Sequence, residues 1–138
     1  MKLNELNVEY KQMEYISNNK IDVLCEGKYK GYQFYIMSMG THPTAYIEIP
    51  RESILFYKKY DDIDIEVHGG LTFSNSQLQN IKTHSWFIGW DYAHYGDYAG
   101  YEELLPINLR MGSKKYTTEE IFEDVISVIE QINEIDSK

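Results

Sequence analysis

Short apolar segments separated by turn residues predict β-strands between residues 21 and 101. Residues 32–37 are rich in aromatic and other β-compatible side chains, and residues 45–49 end at Pro50, which cannot continue a ladder of hydrogen bonds. The intervening residues 40–43 contain a glycine and a proline, as turns commonly do. We therefore expect residues 32–37 and 45–49 to pair as a hairpin.

The clearest alternation lies in residues 63–68, where apolar side chains occupy one face and two acidic residues and a histidine the other. The paired glycines at 69 and 70 predict a turn, and residues 71–73 a returning hairpin arm. Residues 85–90 are almost wholly apolar, which is typical of a central strand. The polar residues 74–84 between them predict a loop.

The two ends of the chain differ in how clearly they can be interpreted. Residues 3–15 fit neither the helical nor the strand period and predict a short helix or an edge strand. At the other end, Thr117 and Glu120 form a capping box that opens a long helix. Its apolar residues spread over more than the stripe of about 100° that packing on one sheet requires. They are Ile121, Phe122, Val125, Ile126, Val128, Ile129, Ile132 and Ile135.

This wide apolar surface predicts a homo-oligomer with the helix in the interface, and a helix wedged into a curved sheet is the alternative. The sequence as a whole predicts a single α+β domain over residues 1–138. We expect an antiparallel β-sheet with the long C-terminal helix packed on it, in a homo-oligomer.

Composition narrows the classes of partner. The net charge of −9 disfavours DNA and long RNA, because binding them requires many lysines and arginines against phosphates. No apolar run approaches the 18 residues of a membrane span, and the N-terminus lacks the apolar segment of a signal peptide, so we expect a cytoplasmic protein without membrane contact. The single cysteine, Cys25, excludes an internal disulfide and lies in an apolar run where a buried position is expected.

The densest group of aromatic residues spans residues 86–101. Tyrosines recur there at every third position, a period of neither strand nor helix, so an irregular loop jointed by glycines is expected. Trp90 and Tyr95 are candidates for stacking a planar base. Alternatively, these aromatic side chains cover the sheet or build the oligomer interface.

Polar residues near these aromatic side chains suggest two kinds of chemistry. His68, Asp91 and His94 are candidates for polar contacts with a ligand. Together with Asp97 they could instead hold a divalent metal ion for hydrolysis. Asp91 could equally cap a turn, and His94 could donate to a backbone carbonyl. The sequence contains no phosphate-binding glycine loop, nucleophile elbow or paired-cysteine motif.

Three features could bind a phosphate group. The backbone at Gly70 could approach an anion closely, although a tight hairpin turn is the favoured explanation for the glycine. Arg110, next to Met111 and shortly before the capped helix, is the preferred phosphate clamp, and Arg51 is the alternative. A surface salt bridge is the competing explanation for Arg110.

Three blocks of the sequence together resemble a pattern found in small phage-encoded proteins. The blocks are VHGGLTFS at 67–74, WFIGWDYAHYGD at 86–97 and YTTEE at 116–120. Their layout is similar to that of the phage anti-Thoeris sponge family, over roughly residues 60–135. This resemblance implies sequestration, without catalysis, of a cyclic ADP-ribose isomer made by bacterial TIR-domain proteins. It also implies pockets at subunit interfaces, and some members of the family hold cyclic oligonucleotides.

The expected function is therefore that of a phage anti-defence protein in the cytoplasm of an infected or lysogenic bacterial host, binding a cyclic nucleotide without a cofactor or metal. The alternative is a metal-dependent hydrolase or phosphodiesterase that uses His68, Asp91, His94 and Asp97. A third possibility is an adaptor whose aromatic side chains serve only protein contacts.

Overall fold

A computed structural model describes residues 1–13, 20–93, 97 and 114–138. These residues form an antiparallel β-sheet with one long helix, which confirms the α+β class. The strands are β1 (Ile21–Tyr29), β2 (Tyr32–Met39), β3 (Pro43–Glu48), β4 (Phe73–Asn75) and β5 (Phe87–Asp91), in the order β1-β2-β3-β5-β4. The helix α1 spans Thr118–Asp136, and short 3₁₀ turns lie at Leu3–Glu5 and Tyr60–Asp62.

Strands β1, β2 and β3 are joined by tight turns. The predicted hairpin of β2 and β3 is confirmed, with Phe34 opposite Ile47 and a turn closed by the Met39 amide donating to the His42 carbonyl at 2.8 Å. The turn between β1 and β2 consists of Lys30 and Gly31, both at positive φ. Two such residues match the twist of the strands that they connect.

The central strand expected at residues 85–90 is confirmed as β5, which pairs with β3 on one side and β4 on the other. Gly89 lies opposite both Tyr46 and Phe73, whose rings meet at 5.0 Å in an edge-to-face contact. A Cβ atom at Gly89 would lie 2.5 Å from the Tyr46 ring and 2.7 Å from the Ala45 carbonyl oxygen. Only glycine therefore fits beneath this aromatic pair.

The strand predicted at residues 63–68 is wrong as a hydrogen-bonded strand, although the predicted burial is right. Ile63 and Ile65 are buried and their immediate neighbours exposed, but no strand within the described part of the chain pairs with them. The side chain of Gln131 in α1 takes that place, accepting from the Glu66 amide at 2.9 Å and donating to its carbonyl at 2.8 Å.

The hairpin arm predicted at residues 71–73 is also wrong. A turn does form, closed by Gly70 N–H donating to the Val67 carbonyl at 2.8 Å, but β4 begins at Phe73 and pairs with β5. The predicted loop at residues 74–84 begins two residues later than expected, because β4 ends at Asn75. It places a buried leucine, Leu78, under the sheet face that lies away from the helix.

The capping box of α1 is confirmed, with Thr117 Oγ1 accepting from the Glu120 amide at 3.1 Å and Glu120 Oε1 accepting from the Thr117 amide at 3.1 Å. The N-terminal segment packs beside this end, since the side chain of Gln12 donates to Glu119 at 2.6 and 2.8 Å. The segment itself contains both a 3₁₀ turn and a single bridge from Tyr10 to Cys25.

The wide apolar surface of α1 is covered by its own chain. Six of its side chains are 0 or 1% exposed within one molecule, namely Ile121, Phe122, Val125, Val128, Ile129 and Ile132. The sheet covers the centre of this surface, and the N-terminal segment and residues 63–67 cover its flanks. The argument for an interface at this helix is therefore wrong, and the oligomeric state stays a prediction.

Cys25 is buried, as expected, and burial raises the pKa of its thiol to about 11. Among the described residues, no helix has both the length and the apolar character needed to span a bilayer.

Candidate functional site

The strongest convergence of chemically active side chains lies beyond the C-terminal end of β5. We call His68, Tyr92, Asp97 and Tyr116 the His68 cluster. His68 Nε2 lies 2.8 Å from Asp97 Oδ2 and 3.1 Å from Oδ1. The carboxylate is almost fully buried, whereas 27% of the histidine side chain is exposed.

Aromatic rings hold the imidazole in place. The His68 ring stacks on Tyr92 with centroids 4.9 Å apart and planes 11° apart. Tyr116 contacts both rings, at 5.0 Å from His68 and 4.8 Å from Tyr92. Its hydroxyl lies 3.4 Å from His68 Nδ1, so both ring nitrogens of the histidine face protein partners.

A buried chain of hydrogen bonds lies beneath this stack. Trp90 Nε1 donates to the Tyr92 hydroxyl at 3.0 Å, and that hydroxyl donates to Asp124 Oδ2 of α1 at 2.5 Å. Burial, and then the hydrogen bond to Asp124, raise the pKa of Tyr92 far above its usual value. The network ties the end of β5 to the helix.

The stacking role predicted for Trp90 is wrong, because its side chain is 1% exposed and offers no face to a ligand. Tyr92, one of the tyrosines in the predicted aromatic loop, is 0% exposed and also belongs to the core. Both side chains belong to the core cluster that contains the apolar face of α1, so they are buried on the side of the sheet that the helix covers.

Asp91 has the role of a turn cap. Its carboxylate accepts from Thr72 Oγ1 at 3.2 Å and from the Ala93 amide at 3.2 Å, just after β5. These are local contacts of the kind that aspartate makes in turns. The contacts of Asp91 therefore match the turn cap that the sequence offered as the alternative to a ligand contact.

The three predicted anion contacts have different outcomes. Gly70 lies at φ +79 in a turn, with no atom within 4 Å of the position that a Cβ would occupy. The turn conformation is therefore sufficient to explain the glycine. Arg51 lies far from the His68 cluster, following β3, with its guanidinium 5.7 Å from the centre of the Phe56 ring. His94, Tyr95, Arg110 and Met111 lie outside the described residues.

The residues proposed for a metal site do not assemble one in the part of the chain that the structure describes. Of that set, His68 and Asp97 are in direct contact, and Asp91 makes the turn contacts given above. No group of three or more histidine, cysteine, aspartate or glutamate side chains suited to a metal ion occurs among these residues.

Sequence reasoning missed Tyr116, Asp124 and Lys114. Lys114 pairs with Glu120 at 2.8 Å and lies 4.6 Å from the centre of the Tyr116 ring. The backbone of Lys114 also forms an isolated parallel β-bridge with that of Asp97. The two residues on either side of the segment 98–113 are therefore neighbours in space. Burial, and then the negative charge of Asp97, raise the pKa of the Tyr116 hydroxyl. The sequence contained one indication of the role of Asp124, because it is an acidic residue on the flank of an apolar helix face.

Comparisons with family models, with curated proteins and with solved structures find no match to this chain.

Proposed function

We propose that this chain is a binding protein that acts without catalysis and sequesters a small nucleotide-derived signal. The ligand we propose is a cyclic ADP-ribose isomer made by TIR-domain proteins, captured in the cytoplasm of a bacterial host by a phage anti-defence protein. The three sequence blocks that resemble the anti-Thoeris sponge family support this identity. All three blocks contribute to the His68 cluster, since residues 67–74 supply His68, residues 86–97 supply Tyr92 and Asp97, and residues 116–120 supply Tyr116.

The observation that carries the proposal is the state of the His68 ring. A general base must present a nitrogen to the proton that it removes from the substrate. Here Nε2 pairs with a buried carboxylate and Nδ1 faces the Tyr116 hydroxyl. The ring is thus fixed in orientation with its partly exposed edge outward, which suits a contact surface better than a proton carrier.

The surrounding charges allow a compact anionic ligand more readily than a polymer. Lys114 lies next to Tyr116 and is a cation beside the cluster in a protein whose net charge is −9, although it also pairs with Glu120 at 2.8 Å. A small ligand needs only a few such groups, and Arg110, predicted as its phosphate clamp, follows Asp97 by thirteen positions in the sequence. A homo-oligomer remains part of this proposal, with an interface elsewhere than the apolar face of α1.

One observation favours a second candidate, a hydrolase or phosphodiesterase. Its proposed residues include His68 and Asp97, and these two are paired at 2.8 Å. A carboxylate that orients a histidine is a common arrangement in acid–base catalysis. This candidate requires the Tyr116 hydroxyl to leave Nδ1, or an added metal ion that His94 would help to hold.

The experiment is mass spectrometry of small molecules released by heat from protein purified from cells with active TIR signalling. We expect an intact cyclic ADP-ribose isomer in stoichiometric amount, and a His68→Ala variant that retains less of it. Release of a linear product, with activity lost on chelation, would support the hydrolase. The absence of any nucleotide from the parent protein would contradict sequestration.

A further inference from the structure

An exposed aromatic surface lies at the opposite end of β5 from the His68 cluster. We call Arg51, Phe56, Tyr57 and Trp86 the Tyr57 patch. The Tyr57 ring lies 4.4 Å from Phe56 and 5.2 Å from Trp86, in an edge-to-face contact with the indole. Tyr57 is nevertheless 62% exposed.

The backbone holds these rings in fixed positions. Trp86 Nε1 donates to the Lys58 carbonyl at 2.9 Å, and the Trp86 carbonyl accepts from the Ile49 amide at 2.7 Å. Further along, Asp136 at the end of α1 accepts from Ser53 Oγ at 2.8 Å. A surface held this firmly loses little conformational freedom when it binds a ligand.

Tyr57 has an unfavourable backbone conformation. It lies at φ +67, in a turn closed by the Lys58 amide donating to the Leu55 carbonyl at 3.0 Å. Glycine is the residue that such positions favour, and a bulky side chain there is strained. Strained residues with exposed side chains are concentrated at ligand-binding sites.

The cationic and acidic side chains around the patch are equal in number, three of each. Arg51, Lys58 and Lys59 are exposed, and none of them takes part in an ion pair among the described residues. Glu52 and the acidic pair at 61 and 62 are the opposing charges nearby. The Arg51 guanidinium over Phe56 therefore remains available for a phosphate or carboxylate.

The size of the patch favours a small ligand over a protein. Tyr57, its exposed large aromatic residue, is 62% exposed and offers roughly 150 Å². A stable protein interface buries about 800 Å² on each partner. A single planar ring with an attached anionic group matches this area and the Arg51 guanidinium.

We infer that the Tyr57 patch is a second binding surface, for a nucleoside monophosphate or a similar planar anion. The base stacks on the exposed ring of Tyr57 with its edge toward Trp86, whose plane is inclined by 74° to that of Tyr57, and the phosphate pairs with Arg51. Trp86 directly precedes β5 and Tyr92 directly follows it, so at about 3.3 Å per residue this surface lies roughly 20 Å from the His68 cluster. The inference therefore goes beyond the proposed function and does not depend on it.

The test is equilibrium binding of adenosine 5′-monophosphate, followed by intrinsic tryptophan fluorescence and by equilibrium dialysis. We expect saturable quenching, because Trp86 is the more exposed of the two tryptophans. Arg51→Ala is expected to weaken binding by about tenfold or more. Adenosine and ribose 5-phosphate, each with half of the recognised chemistry, are expected to bind more weakly than the monophosphate.

Two further variants keep the result interpretable. Lys30→Ala is the matched control, since it removes another cation that lies 5.7 Å from the centre of an aromatic ring. His68→Gln changes the His68 cluster and leaves the Tyr57 patch intact. Both variants are expected to bind the monophosphate within about twofold of the parent. Tyr57→Gly retains the backbone conformation while removing the ring, and is expected to lose binding without loss of fold.

Three outcomes would overturn the inference. They are the absence of saturable binding, equal weakening by Arg51→Ala and Lys30→Ala, and binding that survives in folded Tyr57→Gly. Self-association of the parent that Tyr57→Gly abolishes, with no effect of the monophosphate, would assign the patch to a protein contact instead.

Discussion

Replacing Tyr92 by phenylalanine removes one oxygen atom from the buried network that joins β5 to α1. The ring, its stacking on His68 and its packing volume all remain. Trp90 Nε1 loses its acceptor at 3.0 Å, and Asp124 loses a donor at 2.5 Å. The effect of this variant therefore isolates the hydroxyl.

The magnitude follows from burial. A buried donor left without an acceptor costs about 1–3 kcal/mol, and the indole N–H belongs to a side chain that is 1% exposed. Loss of the bond to Asp124 costs less than its full value, because this half-buried carboxylate regains water. We expect the free energy of unfolding to fall by about 2–4 kcal/mol.

The assay is urea unfolding followed by circular dichroism, in which this loss lowers the midpoint by about 1–2 M. Tyr29→Phe is the matched control, since Tyr29 also donates to a helix carboxylate, Glu130, at 2.6 Å, but at the surface where water replaces the bond. In a Trp90→Phe background the Tyr92 effect should shrink, because no indole N–H is left without an acceptor. Equal, small effects of Tyr92→Phe and Tyr29→Phe would refute the reasoning.

Three other predictions test the fold. Gly89→Ala is expected to lower the free energy of unfolding by about 3 kcal/mol, because its Cβ would meet Tyr46 and the Ala45 carbonyl, and an unchanged thermal midpoint would contradict this. Burial, and then the hydrogen bond to Asp136, raise the pKa of Tyr32 to about 12. The contribution of this group to stability is therefore complete below pH 10 and is lost as the pH rises from 10 to about 12. Over that range the free energy of unfolding should decline less steeply in Tyr32→Phe than in the parent. Val128→Glu places a charge in a fully buried site and should unfold the protein rather than dissociate an oligomer. If circular dichroism and light scattering find a folded monomer instead, Val128 does not lie in the core.

The elements that the sequence predicted correctly are encoded by local signals. The β2–β3 hairpin is bounded by glycine and proline, and the start of α1 is encoded by Thr117 and Glu120 alone. Residues 63–67 show the limit of such signals. Their alternation correctly predicted which side chains are buried, but a strand partner and the amide of Gln131 satisfy the same backbone groups equally well.

The errors at the candidate site concern contacts between residues that lie far apart in the sequence. Trp90 was expected to present its ring at the mouth of a loop, yet it belongs to the core cluster that contains the apolar face of α1. The pairing of His68 with Asp97 joins residues 29 positions apart and leaves no trace in spacing. Arg51 was named as a phosphate contact, but its aromatic neighbours come from a turn that the sequence does not identify.

The central claim is binding without turnover, and the most direct measurement is a time course of ligand depletion. A cyclic ADP-ribose isomer is supplied in about tenfold excess over protein, which leaves most of it free at saturation. The free ligand is measured by chromatography after removal of the protein, and the bound fraction is recovered by heating. We predict a prompt loss equal to the number of binding sites, no further loss with time, and recovery of the unchanged compound. Continuing loss with accumulation of a linear product would contradict the account.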